Sequence, residues 1–201
     1  MSKNLLLIFT RNPELGKVKT RLAKTIGDKN ALKIYKKLLH QTKKVTQYLD
    51  CDKAVYYSVK IRKNDIWDSS IYQKHQQTGN DLGFRMQNAF ENSFKKGYEK
   101  VMIIGSDLFD LSEEIINEAF YQLDKNDTVI GPAEDGGYYL LGMKKNYPEI
   151  FQNKNWGTSS VRKATLEDLK NQNTFQLEEL NDIDVYEDLK KHDSLLKIIK
   201  E

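Results

Sequence analysis

Apolar residues in this chain fall either into short unbroken runs or into longer stretches at helical spacing, and the two kinds alternate. Leu5 to Phe9 is an uninterrupted run that ends at a segment containing Pro13 and Gly16, the pattern of a buried strand followed by a turn. From Asn30 to Leu49 the apolar positions include Ala31, Ile34, Tyr35, Leu38, Leu39 and Val45, which form one face of a helix. Ala54 to Val59, rich in β-branched and aromatic residues, predicts a strand. Leu82, Met86, Ala89, Phe90 and Phe94 share a helical register that Gly97 closes. Val101 to Ile104 predicts another strand, running into Gly105-Ser106-Asp107, and Ser112 predicts the N-cap of a helix over Glu113 to Leu123. Strands over Thr128 to Ile130 and Tyr138 to Leu141 flank a glycine-rich turn. A helix over Ser159 to Leu169 and a last helix, or pair, over Val185 to Leu196 complete the pattern. Ile61 to Gln77 follows neither period and reads as an irregular insertion or a weak edge strand.

Strands alternating with helices predict an α/β fold, a three-layer sandwich around a mixed, mainly parallel sheet. The 201 residues contain no linker-like stretch, so one domain over 1–201 is expected. No apolar run is long enough to span a bilayer, and the N-terminus lacks the features of a signal peptide. Cys51 is the single cysteine, which excludes an internal disulfide and a cysteine metal cluster; a cytoplasmic protein is the simplest expectation.

The net charge of +3 conceals a gradient: residues 1–50 carry twelve Lys and Arg against three acids, and residues 101–201 carry eleven against twenty. Part of the basic excess is the solvated face of the helix over Asn30 to Leu49. The remainder suits a site where phosphate meets a carboxylate-held cation. No basic helix with interleaved aromatics and no amphipathic anchor is present, so neither nucleic acid nor membrane is expected as a partner.

Four segments carry candidate chemistry. After the first strand, Lys17, Lys19 and Arg21 stand at every second position, and in an extended segment they share a side. Such a loop suits a polyphosphate, but alternating lysines are common on solvated loops, so the phosphate reading needs support from elsewhere in the chain. Asp107 follows the strand over Val101 to Ile104, where open α/β sheets bind ligands; it can hold Mg²⁺ or Mn²⁺, or cap the following turn. Gly131 to Tyr138 packs three glycines and two acids between two strands; it is either a plain hairpin or a place where backbone approaches a ligand beside Asp135. Asp182 and Asp184 share a face of an extended piece, where they complete a metal site with Asp107 or cap the last helix. Trp156, ahead of a helix, lines a pocket or plugs the core. The three histidines have no metal-ligand spacing, and Walker A, G-x-G-x-x-G and G-x-S-x-G patterns are absent.

Taken in order, Pro13 to Leu22, Gln77 to Met86, Gly105-Ser106-Asp107, Gly131 to Tyr138 and Asp182-Ile183-Asp184 resemble the glycosyltransferase-A-like "transferase 1" family, which is associated with radical-SAM proteins and was formerly a domain of unknown function. The pattern is more distantly similar to phospholactate and molybdenum-cofactor guanylyltransferases. The resemblance implies a Rossmann-like nucleotide-diphospho-sugar transferase fold and a metal-dependent transferase. Its substrates would be a nucleotide or nucleotide-sugar donor and a small-molecule acceptor. Glycosyl transfer is the expected reaction; the alternatives are nucleotidyl transfer with release of pyrophosphate and a non-catalytic partnership with a radical-SAM enzyme. By the same resemblance Thr10, Arg11, Gly16, Lys17, Lys19, Arg21, Gly79 and Ser106 would bind the nucleotide, and Gly136, Gly137, Tyr138 and Trp156 the acceptor. Asp107 and Asp184 would hold the divalent metal, Mg or Mn, with Asp182 the alternative to Asp184. Asp135 and Lys19 would be catalytic. Val185-Tyr186 stands where relatives often have Thr-Pro, and Leu108-Phe109 where they often have Cys-Pro.

Overall fold

The computed structural model describes residues 2–200. Among the described residues, seven strands form one sheet: β1 (Asn4–Thr10), β2 (Asp52–Tyr57), β3 (Tyr72–Gln76), β4 (Lys100–Ile104), β5 (Thr128–Pro132), β6 (Tyr138–Met143) and β7 (Thr174–Gln176). Their order is β3-β2-β1-β4-β6-β5-β7, and only β6 runs antiparallel to its neighbours β4 and β5. The helices are α1 (Thr20–Thr46), α2 (Leu82–Lys95), α3 (Glu113–Lys125), α4 (Val161–Asp168), α5 (Tyr186–Lys190) and α6 (Asp193–Lys200).

The alternation of side chains along β1 explains why its sequence is apolar throughout. Leu6 and Ile8 face one core with Tyr35 and Leu39 of α1 and Ile116 and Leu123 of α3, while Leu5 and Leu7 face another with Met86 and Phe90 of α2. This is the mixed, three-layer α/β arrangement that the sequence predicts. A third cluster, Leu22, Ile34, Leu38, Ile183, Leu189 and Leu195, ties α1 to the C-terminal helices. No helix among the described residues is long and apolar enough to cross a membrane.

Three local differences from the sequence reading matter. Helix α1 begins at Thr20, ten residues before the predicted start, and is interrupted at Gly27 (φ 77°, ψ 157°). That break hides the short first piece from a periodicity argument. Residues 72–76 of the ambiguous segment are a parallel edge strand, while the stretch before them is irregular and anchored by buried Trp67, whose ring meets Tyr72 edge-on at 5.0 Å. The three-residue strand β7 pairs with β5 and carries no periodic signal in so short a span.

Sheet order reverses between β1 and β4, because successive strands add outward from these two in opposite directions. Ligand crevices in open α/β sheets lie at such a switch point, outside the carboxyl ends of the strands.

Candidate active site

Both strands at the switch point deliver polar groups to their carboxyl ends, and Tyr35 of α1 joins them. Its hydroxyl receives the Arg11 N–H at 2.8 Å and lies 3.1 Å from Thr10 Oγ1 and 3.2 Å from Ser106 Oγ. Thr10 and Ser106 are therefore buried inside a hydrogen-bonded hub that fixes the backbone around the crevice. Burial raises the Tyr35 pKa, with a smaller push from Asp107, so the hydroxyl stays protonated.

The cationic loop is a turn followed by a helix start rather than an extended segment. Lys17 N–H bonds the Glu14 carbonyl at 3.1 Å through Gly16 at φ 71°, and Lys19 adopts φ 48° ahead of Thr20. A left-handed non-glycine residue costs about 1–3 kcal/mol and persists where surrounding contacts over-determine it. Here those contacts are two carboxylates: Lys19 Nζ lies 2.7 Å from Asp107 Oδ2 and 3.0 Å from Asp184 Oδ1, with its side chain only 3% exposed. Burial alone would lower the Lys19 pKa, and the two acids outweigh it, holding the ammonium well above its ordinary value. Arg21 reaches Asp184 from the other side at 3.1 Å.

Asp107, Asp182 and Asp184 come together through backbone. Leu108 and Asp182 form an antiparallel bridge, and Ile183 N–H bonds the Asp107 carbonyl at 3.3 Å. Ile183 is fully buried, so its neighbours Asp182 and Asp184 project to the opposite side, and one oxygen of each of the three acids lies within 4.8 Å of the others. None of the three serves as a cap. Ser112 caps α3, and Asp188 reaches back to receive the Asp184 and Val185 N–H groups at 3.0 and 2.9 Å. Burial first, and then the Asp184 carboxylate, push Asp182 up to about 6.

Two cavities meet at Asp107 and Asp182. One, of about 240 Å³, is lined by Arg11, Lys17, Lys19, Arg21 and the three acids. The other, of about 280 Å³, is walled by Leu82, Met86, Tyr138, Trp156 and Val161, with Asp135 and Gly137 at its edge. Among the described residues it has three acids in its lining and no Lys, Arg or His.

The glycine-rich segment proves to be both a hairpin and a cavity wall. It joins the antiparallel pair β5 and β6, and Asp135 Oδ1 accepts the Gly137 N–H at 2.8 Å. Gly136 (φ 86°) lies so near the start of α4 that a Cβ would stand 2.4 Å from the Ser159 carbonyl oxygen. Trp156 likewise depends on a glycine outside the predicted set: a Cβ on Gly83 would stand 2.5 Å from both Trp156 Nε1 and the Phe151 carbonyl oxygen. Gly16 and Gly79 line neither cavity and shape turns, Gly79 accepting from Arg85 Nε at 3.1 Å. Sequence reasoning assigned Tyr35 only to a helix face. The clue was its hydroxyl, which needs a partner when buried.

Comparison with solved structures finds the same architecture. A protein from Desulfovibrio desulfuricans G20, assigned as a nucleotide-diphospho-sugar transferase, superposes with a TM-score of 0.84 at 29% identity over 98% of both chains. The 4-diphosphocytidyl-2C-methyl-D-erythritol synthase of Anaerococcus prevotii DSM 20548 gives 0.59 at 11% identity over 97% of both chains. The inositol-1-phosphate CTP transferase of T. maritima gives 0.54 at 12% identity over 99% of this chain and 95% of that one. A sequence comparison with curated proteins finds no match. The fold is thus that of the nucleotide-diphospho-sugar transferases. Residues 40–158, more than half of the chain, match the family described as "Uncharacterized protein conserved in bacteria (DUF2064)", and the chain belongs to that family.

Proposed function

We propose that this protein is a metal-dependent transferase that uses an activated nucleotide, and that it moves a glycosyl group from a nucleotide sugar to an uncharged acceptor. One observation carries the reading: a cation-lined cavity and a cation-free, largely apolar cavity share Asp107 and Asp182. The first suits a diphosphate. The second would place a phosphorylated acceptor against three acids with no counter-charge, whereas a neutral acceptor meets no such cost. The assignment of the Desulfovibrio structure supports the same class.

Lys17, Lys19 and Arg21 would stabilise charge on the departing diphosphate. The exposed Asp135 would accept the proton of the acceptor or orient its hydroxyl, while Gly137, Tyr138 and Trp156 bound the acceptor. Asp107, Asp182 and Asp184 fit a divalent cation, Mg or Mn, because carboxylate oxygens are the donors such hard ions prefer and the cluster carries more negative charge than Lys19 offsets. When bound, that ion would neutralise diphosphate charge.

A second reading, nucleotidyl transfer, is favoured by the four cations around the first cavity, enough for a triphosphate. Product analysis separates the two. Incubation with Mn²⁺ and nucleotide sugars, with donors chosen by thermal shift, is expected to release nucleoside diphosphate in the presence of neutral acceptors. Pyrophosphate released from an NTP with a phosphorylated acceptor, and no diphosphate from any sugar donor, would overturn glycosyl transfer.

A further inference from the structure

One end of the sheet is β7, and the far side of this strand is open. Backbone groups of successive residues in a strand point alternately to its two sides. The Asn173 carbonyl accepts from Thr128 N at 3.2 Å and Leu177 N donates to the Ile130 carbonyl at 2.9 Å, so these residues face β5. The N–H and C=O groups of Thr174 and Gln176 therefore point away from β5, where among the described residues no further strand pairs with them. Beside this edge lies a groove of about 300 Å³ between β7 and α3. Its floor is apolar, made of Ile115, Phe175 and Leu177, each partly buried against the core. Its rim is acidic and exposed: Glu114, Glu118 and Glu178. The adjacent Glu179 is paired with Arg162, but among the described residues none of these three has a basic partner within ion-pair distance, Glu118 accepting from the neutral Gln122 side chain.

An open row of backbone donors and acceptors, an apolar floor and three uncompensated carboxylates suit one kind of occupant, an extended segment with apolar and basic side chains. Its backbone would pair with Thr174 and Gln176, its apolar side chains would cover Phe175, Leu177 and Ile115, and its Lys or Arg side chains would meet the glutamates. A second copy of the chain lacks this complementarity. Two-fold pairing of two β7 edges presents the same surface twice, so the carboxylates of one copy would face those of the other. That charge, with the three-residue length of β7, keeps the edge from pairing with itself and leaves it open to a basic strand.

We propose that the β7 edge and the groove beside it are a docking surface for an extended, basic and apolar segment of another protein, which joins the sheet as an added strand. The groove shares no residue with the two cavities of the candidate active site, so the inference is independent of whether the protein transfers a glycosyl or a nucleotidyl group.

The probe is a fluorescently labelled, end-capped peptide, Lys-Thr-Val-Thr-Val-Thr-Lys, which as a strand places two valines between two lysines on one face. Its anisotropy on titration with the full chain is expected to rise saturably. Replacing both lysines by Glu should weaken binding by at least about tenfold, because like charges then meet across the interface. Replacing both valines by Ser should also weaken it, through loss of the apolar contact. Glu114→Gln with Glu118→Gln, both at exposed positions, should raise the Kd about fivefold, the sum of two surface ion pairs. Gln176→Pro removes an N–H that points away from β5, which an edge strand tolerates, and should abolish binding; a thermal melt checks that each variant is folded. Absence of a saturable signal, equal affinity for the Glu peptide, or an unchanged Kd in the Glu114/Glu118 variant would each overturn the proposal. So would sedimentation showing a dimer of the free chain that Gln176→Pro makes monomeric, since the edge would then belong to a second copy.

Discussion

Replacing Lys19 by Met preserves side-chain length and removes the ammonium that separates Asp107 from Asp184. At an effective dielectric near 20, each of the two contacts, at 2.7 and 3.0 Å, has a gross attraction of about 6 kcal/mol. Most of that is offset by the several kcal/mol needed to bury the charge. Breaking a buried pair by removing one partner typically costs about 3–5 kcal/mol, but Asp107 and Asp184 are 39% and 29% exposed, so water recovers part of it. A net loss of about 2–3 kcal/mol remains, equivalent to a fall in Tm of about 4–12 °C for a chain of this size. The assay is thermal unfolding in EDTA, followed by the same melt with Mn²⁺. Three acids without their lysine need a counter-charge more than the parent does, so Mn²⁺ should raise the Tm of Lys19→Met by more than it raises that of the parent. An unchanged Tm in EDTA, or a smaller gain from Mn²⁺ than the parent shows, would refute the view that these carboxylates are organised around a cation.

Asp182 gives a prediction with a defined sign. Its folded-state pKa, pushed up to about 6, lies above the unfolded value, so its contribution to stability is complete below about 4 and is lost as pH rises through about 6. In EDTA, Asp182→Asn should therefore gain Tm over the parent at pH 8, with the difference shrinking towards pH 4; a gain independent of pH would contradict this. Gly83→Ala should lower stability and, at permissive temperature, alter Trp156 emission, because the new methyl group meets the Phe151 carbonyl and the indole at 2.5 Å. A Gly83→Ala protein with parental Tm and emission spectrum would show that this packing is looser than described. Tyr35→Phe leaves the Arg11 N–H without its partner and should cost about 1–3 kcal/mol, or roughly 2–12 °C in Tm. A change below 1 °C would mean that water replaces the hydroxyl.

Much of this molecule was legible in the chain because local physics decided it. The runs Leu5 to Phe9 and Val101 to Ile104, short, apolar and bounded by turn residues, read as buried strands and are covered on both faces, and the 3.6-residue spacing in α2 and α3 marked both helices and their buried sides. The alternation of Asp182 and Asp184 about a buried Ile183 likewise follows from the two-residue period of extended backbone. Tertiary structure decided what depends on partners distant in sequence. That Asp107, Asp182 and Asp184 converge beside Lys19, 88 residues from Asp107, rather than serving as caps, is decided by the bridge between Leu108 and Asp182 and by Ser112 and Asp188 taking the capping roles at α3 and α5. The cationic loop was visible as charge, but its cations reach one cavity through a left-handed Lys19 and an early helix start, neither of which any side-chain period encodes. The acidic groove beside β7 was invisible for the same reason: Glu114 and Glu118 belong to α3 and Phe175, Leu177 and Glu178 to a distant segment, and only the pairing of β7 with β5 brings them together.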